Sequence, residues 1–107
     1  MIWLLSSSTM ADNPETEIQY LLESVGQSNC IFIRNGESHA ATEAESHLRM
    51  KYGRVKFWVD NAEQFIERIA SKSSWSGKPY FIECPNSDRQ SSGDWLLEKL
   101  AAYREET

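Results

Sequence analysis

The sequence predicts an α+β domain in which about four helices pack on a small antiparallel sheet of two strands, with a third strand near 55–59. Two observations support this fold class. Four segments space their apolar residues three and four apart, as amphipathic helices do, and two short apolar runs have the length of strands. Each of these runs carries one cysteine at its end, and the cysteines indicate how the strands pair.

The predicted strands span residues 30–34 and 80–84. In an antiparallel pair whose residue numbers sum to 114, Cys30 lies opposite Cys84. Directly opposite residues have Cβ atoms about 4.5–5.5 Å apart, close to what a disulfide requires, whereas a parallel pair would separate the sulfurs by roughly 13 Å. We therefore predict a cross-strand disulfide and an oxidising compartment. The alternative is a free cysteine that acts as a nucleophile beside a histidine.

The first two helices lie on either side of the first strand. Asn13, followed by a proline, forms a helix start with a capping side chain. The second helix covers about 38–52, so the Asn35-Gly36 turn should lead from the first strand directly into it. The inward-facing residues are Ile18, Leu21, Leu22 and Val25 in the first helix and Ala41, Ala44, Leu48 and Tyr52 in the second.

The third and fourth helices are separated by the second strand. Asp60 and Glu63 form a capping-box-like start for the third helix. Ser91 or Ser92 caps the fourth. The inward-facing residues are Ala62, Phe65, Ile66, Ile69 and Ala70 in the third helix and Trp95, Leu96, Leu100 and Tyr103 in the fourth.

The composition limits the class of protein. A chain of 107 residues forms one domain at most, and a hydrophobic fraction of 40% is typical of a folded globule. The formal net charge of −5 disfavours a nucleic-acid partner, because such proteins carry a basic footprint. No stretch reaches the roughly 18 apolar residues of a membrane span. We expect a monomer without a cofactor.

Residues 1–11 differ from the rest of the chain. A short apolar run is followed by small polar residues, and Thr9 and Ala11 have the spacing of a signal-peptidase site. The run is short and no basic residue precedes it. We interpret 1–11 as the remnant of an export signal and 12–107 as the single α+β domain, with an unstructured terminus as the alternative.

Four polar side chains are regularly spaced in the predicted second helix. His39, Glu43, His47 and Lys51 lie four residues apart, so they should share one helix face. The two histidines would then lie roughly 12 Å apart, too far to bind one metal ion, and we expect no metal site. Surface pairing of Glu43 with His47, or of Lys51, is one interpretation. A cleft histidine that titrates near neutral pH is the other.

A basic cluster follows on the same helix. Arg49, Lys51, Arg54 and Lys56 have no acidic residue between them. They form either a solvated helix end, where cations favour the helix dipole, or a docking patch for an anionic ligand or partner.

The connection before the second strand, 71–79, is rich in serine. Its Gly77-Lys78 pair lacks the flanking residues of a phosphate-binding loop, and the common motifs of nucleophilic serines are absent. A turn in which serines satisfy backbone groups is the simpler interpretation. Trp75 in this loop would stack on a sugar or peptide if exposed, or cover the core if buried.

Three segments of the chain, 28–36, 43–52 and 62–80, together resemble a known family. They contain the motifs Phe-x-Arg-Asn-Gly, Glu-Ala-x-x-His-Leu-x-x-Lys and Ser-Ser-x-Ser-Gly-Lys-Pro-Tyr, which are similar to those of the YfeK-like family. The resemblance extends over about 17–104. It implies a small exported, mostly periplasmic bacterial protein of unknown function. Some members are described as lipoproteins, but no cysteine stands at the start of the predicted domain here.

The motif residues predict a polar cleft beside the strand pair, at the end away from the disulfide. We expect this cleft to bind an unidentified protein or envelope ligand in the periplasm or outside the cell. The alternative is a small hydrolase or transferase with His47 as general base and a serine of 73–76, which must lie within about 2.6–3.2 Å or one water of each other. The candidate site residues are Arg34, Asn35, His47, Lys51, Ser73, Ser74, Ser76 and Tyr80.

Overall fold

The computed structural model describes residues 13–106, so the predicted export-signal remnant lies outside the described residues. The helices are α1 (Pro14–Gln27), α2 (Ala41–Val55), α3 (Ala62–Phe65) and α4 (Ser92–Glu106). The strands are β1 (Ile31–Arg34), β2 (Glu37–Ala40), β3 (Phe81–Glu83) and β4 (Gln90–Ser91). A 3₁₀ turn, Lys56–Trp58, follows α2, and α3 continues into a π-helical turn, Ile66–Ala70.

The strands form one antiparallel sheet in the order β2-β1-β3-β4. β1 and β3 pair in the predicted register, with Phe32 opposite Ile82. The same register brings Cys30 to Cys84, and these residues form a disulfide with Cα atoms 4.2 Å apart. The predicted α+β class, strand pairing and disulfide are therefore confirmed, but the sheet has four strands instead of two or three.

The additional strands do not lie where a third strand was predicted. The segment 55–59 forms the end of α2 and the 3₁₀ turn, so that prediction is wrong. Asn35 and Gly36 instead have φ angles of 51° and 83°, the left-handed values that a two-residue hairpin turn needs, and they join β1 to β2. The second helix consequently begins at Ala41 and not near 38.

The helix starts are capped by short polar side chains. The Asn13 side chain accepts from the Thr16 amide at 2.8 Å, as expected for the start of α1. In α3 the cap is Asn61, which accepts from the Gln64 amide at 2.8 Å, so the prediction of Asp60 is one residue early. Ser91 caps α4 by accepting from an amide of its first turn at 3.2 Å.

The core lies between the sheet and the helices. The predicted inward-facing residues are buried, apart from Ala44 and Tyr103, which are partly buried. Phe32 of β1 packs edge to face on Trp95 of α4, with ring centroids 6.2 Å apart. No helix in residues 13–106 is long and apolar enough to cross a membrane.

A charged cluster fixes α4 to α1 and α3. Arg104 donates to both carboxylate oxygens of Glu17 at 2.8 Å and to Glu63 at 2.6 and 3.2 Å. Glu17 is only 4% exposed, and the ion pair with Arg104 offsets the lost hydration of its carboxylate. The hydrogen bonds that Arg104 donates to Glu17 and then to Glu63 raise the pKa of Arg104, which stays charged.

Candidate functional site

A cleft of about 690 Å³ opens between the end of β1, the second half of α2 and the loop before β3. It lies at the end of the β1–β3 pair away from the disulfide. Seven of the eight predicted site residues line this cleft, and Ser76 contacts one of them: the lining residues are Arg34, Asn35, His47, Lys51, Ser73, Ser74 and Tyr80. The structure thus brings the predicted residues together, and what they bind stays a prediction.

The serine-rich loop forms one wall of the cleft. Its backbone closes on itself, because the Ser73 amide donates to the Lys78 carbonyl and the Gly77 amide to the Ser73 carbonyl, both at 2.9 Å. The buried Ser73 hydroxyl accepts from the amides of Trp75 and Ser76 at 3.2 Å each. These bonds support the interpretation of the segment as a turn in which serines satisfy backbone groups.

Asn35 connects this loop to the β1–β2 hairpin. Its side-chain oxygen accepts from the Ser76 hydroxyl at 2.7 Å, and its side-chain nitrogen donates to the Ser73 hydroxyl at 3.4 Å. Both ends of the amide are therefore used to hold two walls of the cleft together. Asn35 positions the cleft, and the cationic residues remain as its candidate ligand-binding groups.

Lys51 lies at the base of the cleft. Its ammonium group donates to the carbonyls of Ile69 and Lys72, at 2.8 and 3.2 Å, and to the Tyr80 hydroxyl at 2.9 Å. Burial lowers the pKa of Lys51 to about 8, and the positive charge of Arg34 contributes to this shift. All three acceptors are neutral, so Lys51 carries a positive charge at neutral pH without a carboxylate partner among the described residues. The expectation of a surface ion pair for Lys51 is wrong.

Two arginines add to the positive charge. Within the described part of the chain, neither Arg34 nor Arg54 forms an ion pair, although Arg34 is partly buried. Glu37 is the one carboxylate among the residues lining the cleft. Three cations and one carboxylate give the cleft a positive potential on a chain whose formal net charge is −5.

The two histidines have different surroundings. Burial, followed by the charges of Arg34 and Lys51, lowers the pKa of His47 to about 4, so its ring is neutral at pH 7. The prediction that His47 titrates near neutral pH is therefore wrong. His39 lies on β2 and contacts a carboxylate oxygen of Glu43 at 3.0 Å, so the expected pairing of Glu43 with His47 is wrong as well.

Trp75 lies at the tip of the serine-rich loop. Its side chain is 91% exposed, so the interpretation of Trp75 as a cover for the core is wrong. It lines the rim of the cleft together with Met50 and Val55 of α2. The cleft therefore combines a cationic base with an apolar rim.

Arg54 is a cleft residue that the motifs do not mark. It follows His47 and Lys51 by seven and three residues on α2, which places all three on one helix face. The basic cluster divides accordingly: Lys51 and Arg54 face the cleft, while Arg49 pairs with Glu45 at 2.8 Å. Helical spacing from His47 would have separated these two groups.

Metal binding has no obvious location in this site. Among residues 13–106, no group of three or more His, Cys, Asp or Glu side chains is placed to hold a metal ion. The cations that line the cleft, Arg34, Lys51 and Arg54, suit an anion instead.

The comparisons with known proteins give a family without an activity. A model described as a family of unknown function, DUF5329, matches residues 12–104. The uncharacterized protein YfeK of Salmonella typhimurium (strain LT2) is 46% identical over 67 residues, which cover 62% of this chain and 56% of that protein. The match thus spans about half the length of this relative. No solved structure matches the chain. These matches confirm the resemblance to YfeK.

Proposed function

Because the chain belongs to the DUF5329 family of unknown function, its activity has to be inferred from its own residues, and we propose that it is a binding module outside the cytoplasm whose cleft takes an anionic group of its ligand. The observation that carries this proposal is the set of cations without carboxylate partners. Arg34, Lys51 and Arg54 line one cleft, and none of them forms an ion pair within residues 13–106.

The energetics of these cations support an anionic ligand. A partly buried charge loses hydration, and hydrogen bonds to neutral acceptors, such as those of Lys51, restore less of that loss than an ionic partner does. Arg34 also lowers the pKa of Lys51, which means that the two positive charges repel each other in the free protein. An anion between them would offset both costs. Two arginines favour carboxylate or phosphate, which the guanidinium group binds in a bidentate manner.

The disulfide supports a location in the periplasm or outside the cell. Disulfides form and persist in oxidising compartments and are rare in the cytosol. Cys30 and Cys84 are joined, and residues 13–106 contain no other cysteine. Fractionation of cells that produce the full-length protein would test this location, and recovery of the protein with reduced cysteines in the cytosol would contradict it.

The anion site can be tested with small probes. We suggest titrating isotope-labelled protein with citrate, acetate and inorganic phosphate while following backbone amide signals by NMR. We expect shifts confined to residues 34–35, 47–54 and 73–77, with affinity falling as salt is added because the interaction is electrostatic. Arg34→Gln should weaken citrate binding at least tenfold.

Arg89→Gln is the matched control for charge. Arg89 lies in the β3–β4 connection, outside the cleft, and forms an exposed ion pair with Glu83 at 2.7 Å. The same loss of charge there should leave citrate binding unchanged within twofold. Equal weakening in both variants, or shifts spread evenly over the surface, would contradict a cleft-specific anion site. Affinity capture from an envelope extract with the same two variants would then identify the natural partner.

The alternative hydrolase or transferase hypothesis has weaker support. His47 shares the cleft with Ser73 and Ser74, but within residues 13–106 it forms no hydrogen bond with either, and the Ser73 hydroxyl already accepts from loop amides. Ser74 is exposed and is the remaining nucleophile candidate in the cleft. Labelling of Ser74 by a fluorophosphonate probe, lost in His47→Ala, would favour this alternative over binding.

A further inference from the structure

A second, more enclosed cavity lies next to the cleft. It has a volume of about 230 Å³ and lies between the β1–β2 hairpin, α2 and the start of α4. Apolar side chains dominate its walls, including Phe32, Ile33, Leu48 and Leu96. Ligand pockets are concave and mainly apolar with a few polar groups, so this space is a candidate ligand pocket.

The cavity and the cleft meet at three side chains. Arg34, His47 and Tyr80 line both spaces. The rings of His47 and Tyr80 lie edge to face with centroids 6.5 Å apart. Arg34, which has no ion-pair partner within residues 13–106, lies at the same place. An apolar interior therefore adjoins a cationic exterior.

The polar lining residues Arg34, His47 and Tyr80 lie where the cavity meets the cleft, and most of the other polar groups at the cavity wall are already paired. The Ser92 hydroxyl donates to the Ala70 carbonyl at 2.9 Å, and Glu43 contacts the Nδ1 atom of His39 at 3.0 Å. The Nε2 atom of His39 is buried without a hydrogen-bond partner among the described residues, and a Glu37 oxygen 3.9 Å away is beyond hydrogen-bond distance. An ordered water needs about two to four polar partners, so an apolar occupant suits this space better.

We propose that the protein binds a free alkyl carboxylate of medium chain length, with the chain in the apolar cavity and the carboxylate on Arg34 and the other cleft cations. The inference rests on the proposed function, because the carboxylate occupies the same cationic cleft. A water molecule takes up about 30 Å³ of liquid. The cavity of about 230 Å³ therefore accommodates roughly eight non-hydrogen atoms, and octanoate is the matching probe.

A chain-length series tests the apolar part of the proposal. Butyrate, hexanoate, octanoate and dodecanoate are titrated into the labelled protein below their micelle concentrations. Each buried methylene should strengthen binding about fourfold up to octanoate, after which the affinity should level off because the cavity is full. Signals of residues 32–33, 44 and 96 should shift with octanoate but not with butyrate.

Two variants separate the chain from the head group. Ala44→Leu fills the cavity from α2 with a strong helix former and should weaken octanoate binding at least tenfold without weakening citrate binding. Arg34→Gln should weaken octanoate but not 1-octanol, which lacks the charge. Thermal unfolding of each variant establishes that it is folded, and Ile33→Phe replaces Ala44→Leu if that variant does not fold.

The outcomes distinguish this inference from the proposed function. If citrate binds through Arg34 but octanoate binds no better than butyrate, the alkyl-carboxylate inference is wrong and the anion-binding function stands. If octanoate and 1-octanol bind equally and Arg34→Gln affects neither, the cavity takes apolar molecules alone and the alkyl-carboxylate inference is wrong. The citrate titration then decides the anion-binding function separately. Absence of binding by every probe contradicts both.

A lipid surface also presents acyl chains together with anionic groups. Binding to vesicles tests whether the protein recognises such a surface. Vesicles of phosphatidylglycerol carry acyl chains and anionic head groups in one particle. A free alkyl carboxylate as ligand predicts that octanoate binds without vesicles and that the protein does not sediment with them. Sedimentation that Ala44→Leu does not reduce, together with weak octanoate binding, would overturn the inference.

Discussion

Two parts of this molecule hold their cationic side chains in opposite ways. Where α4 packs on α1 and α3, Arg104 donates to the carboxylates of Glu17 and Glu63. In the cleft, Arg34 and Arg54 have no ion pair with any residue in 13–106. Arginine therefore joins helices through ion pairs in one place, the Arg104 cluster, and is a charge without an ion-pair partner among the described residues in the other.

The difference separates folding from binding. A paired, partly buried arginine contributes to stability because its removal leaves a carboxylate without a partner. An unpaired one near other cations contributes little to stability and repels them. We infer that the Arg104 cluster and the disulfide maintain the fold, while the cleft is available for a ligand. The following predictions test this division.

The largest effect should come from the disulfide at the end of the strand pair away from the cleft. Replacing Cys30 and Cys84 together by serine should lower the free energy of unfolding by about 4 kcal/mol, because the bond closes a loop across 54 positions. Urea unfolding of the oxidised wild type and the double variant measures this. At low temperature, where the variant is folded, citrate affinity should be unchanged. A loss of citrate binding in the folded variant would contradict the division.

The next largest decrease in the free energy of unfolding should come from breaking the Arg104 cluster. Arg104→Gln should lower the free energy of unfolding by about 2 kcal/mol at pH 7, because Glu17 is left buried without its charged partner. This loss is smaller than the loss expected for a fully buried ion pair, because the arginine side chain is 39% exposed. Arg89→Gln, which removes an exposed ion pair, should change it by less than about 0.5 kcal/mol.

The Arg104 cluster also predicts how the free energy of unfolding depends on pH. The hydrogen bond from Arg104 lowers the pKa of Glu63, so the folded state favours its charged form. Its contribution to stability is fully present above the unfolded-state pKa of about 4.3 and is lost as the pH falls through the lower folded-state value. The free energy of unfolding should therefore decrease more between pH 6 and pH 3 in the wild type than in Arg104→Gln. If the free energies of unfolding of the two proteins fell in parallel with pH, Arg104 would not stabilise the charged form of Glu63.

The sequence predicted the central pair of strands, β1 and β3, better than the edges of the sheet. Two cysteines at the ends of apolar runs are sufficient to define the β1–β3 register, because only one antiparallel alignment places them opposite each other. β2 gave no such signal. Its residues Glu37 to Ala40 are mostly exposed, so no alternation of apolar and polar residues marks the strand. The Asn35-Gly36 turn was the available indication, since this dipeptide favours two-residue hairpins.

The cleft was predicted from the motifs, but the neutral state of His47 was not. Seven motif residues line it, because they lie at the end of β1, on one face of α2 and at the entry to β3. The neutral state of His47 depends on burial and on the proximity of Arg34 and Lys51. These distances between elements are set by tertiary packing, which local spacing does not reveal. The adjoining apolar cavity also results from tertiary packing, so local spacing did not predict it.

The proton balance of binding should reveal the role of Lys51. Its pKa is about 8 in the free protein, and a bound anion should raise that value because it favours the charged form. The citrate affinity should therefore weaken by about tenfold between pH 7 and pH 9.5 as the lysine loses its proton in the free protein. Calorimetry in buffers of different ionisation enthalpy should show greater proton uptake at pH 8.5 than at pH 6.5, where Lys51 is already protonated and citrate still holds part of its last proton. Uptake that is equal at both values would contradict a contact between the anion and Lys51.

The smallest effect on stability should come from the cleft arginine, and it is the sharpest test of the comparison. Arg34→Gln is the same substitution as Arg104→Gln, but it removes a charge that has no ion-pair partner within residues 13–106 and repels Lys51. The free energy of unfolding should change by less than about 0.5 kcal/mol, while the pKa of Lys51 should rise from about 8 toward the ordinary value of about 10.4. Urea unfolding and NMR titration of the lysine side chain measure the two quantities. If Arg34→Gln destabilised the protein as much as Arg104→Gln does, Arg34 would have a structural role, and the cleft would lose the unneutralised charge on which ligand binding depends.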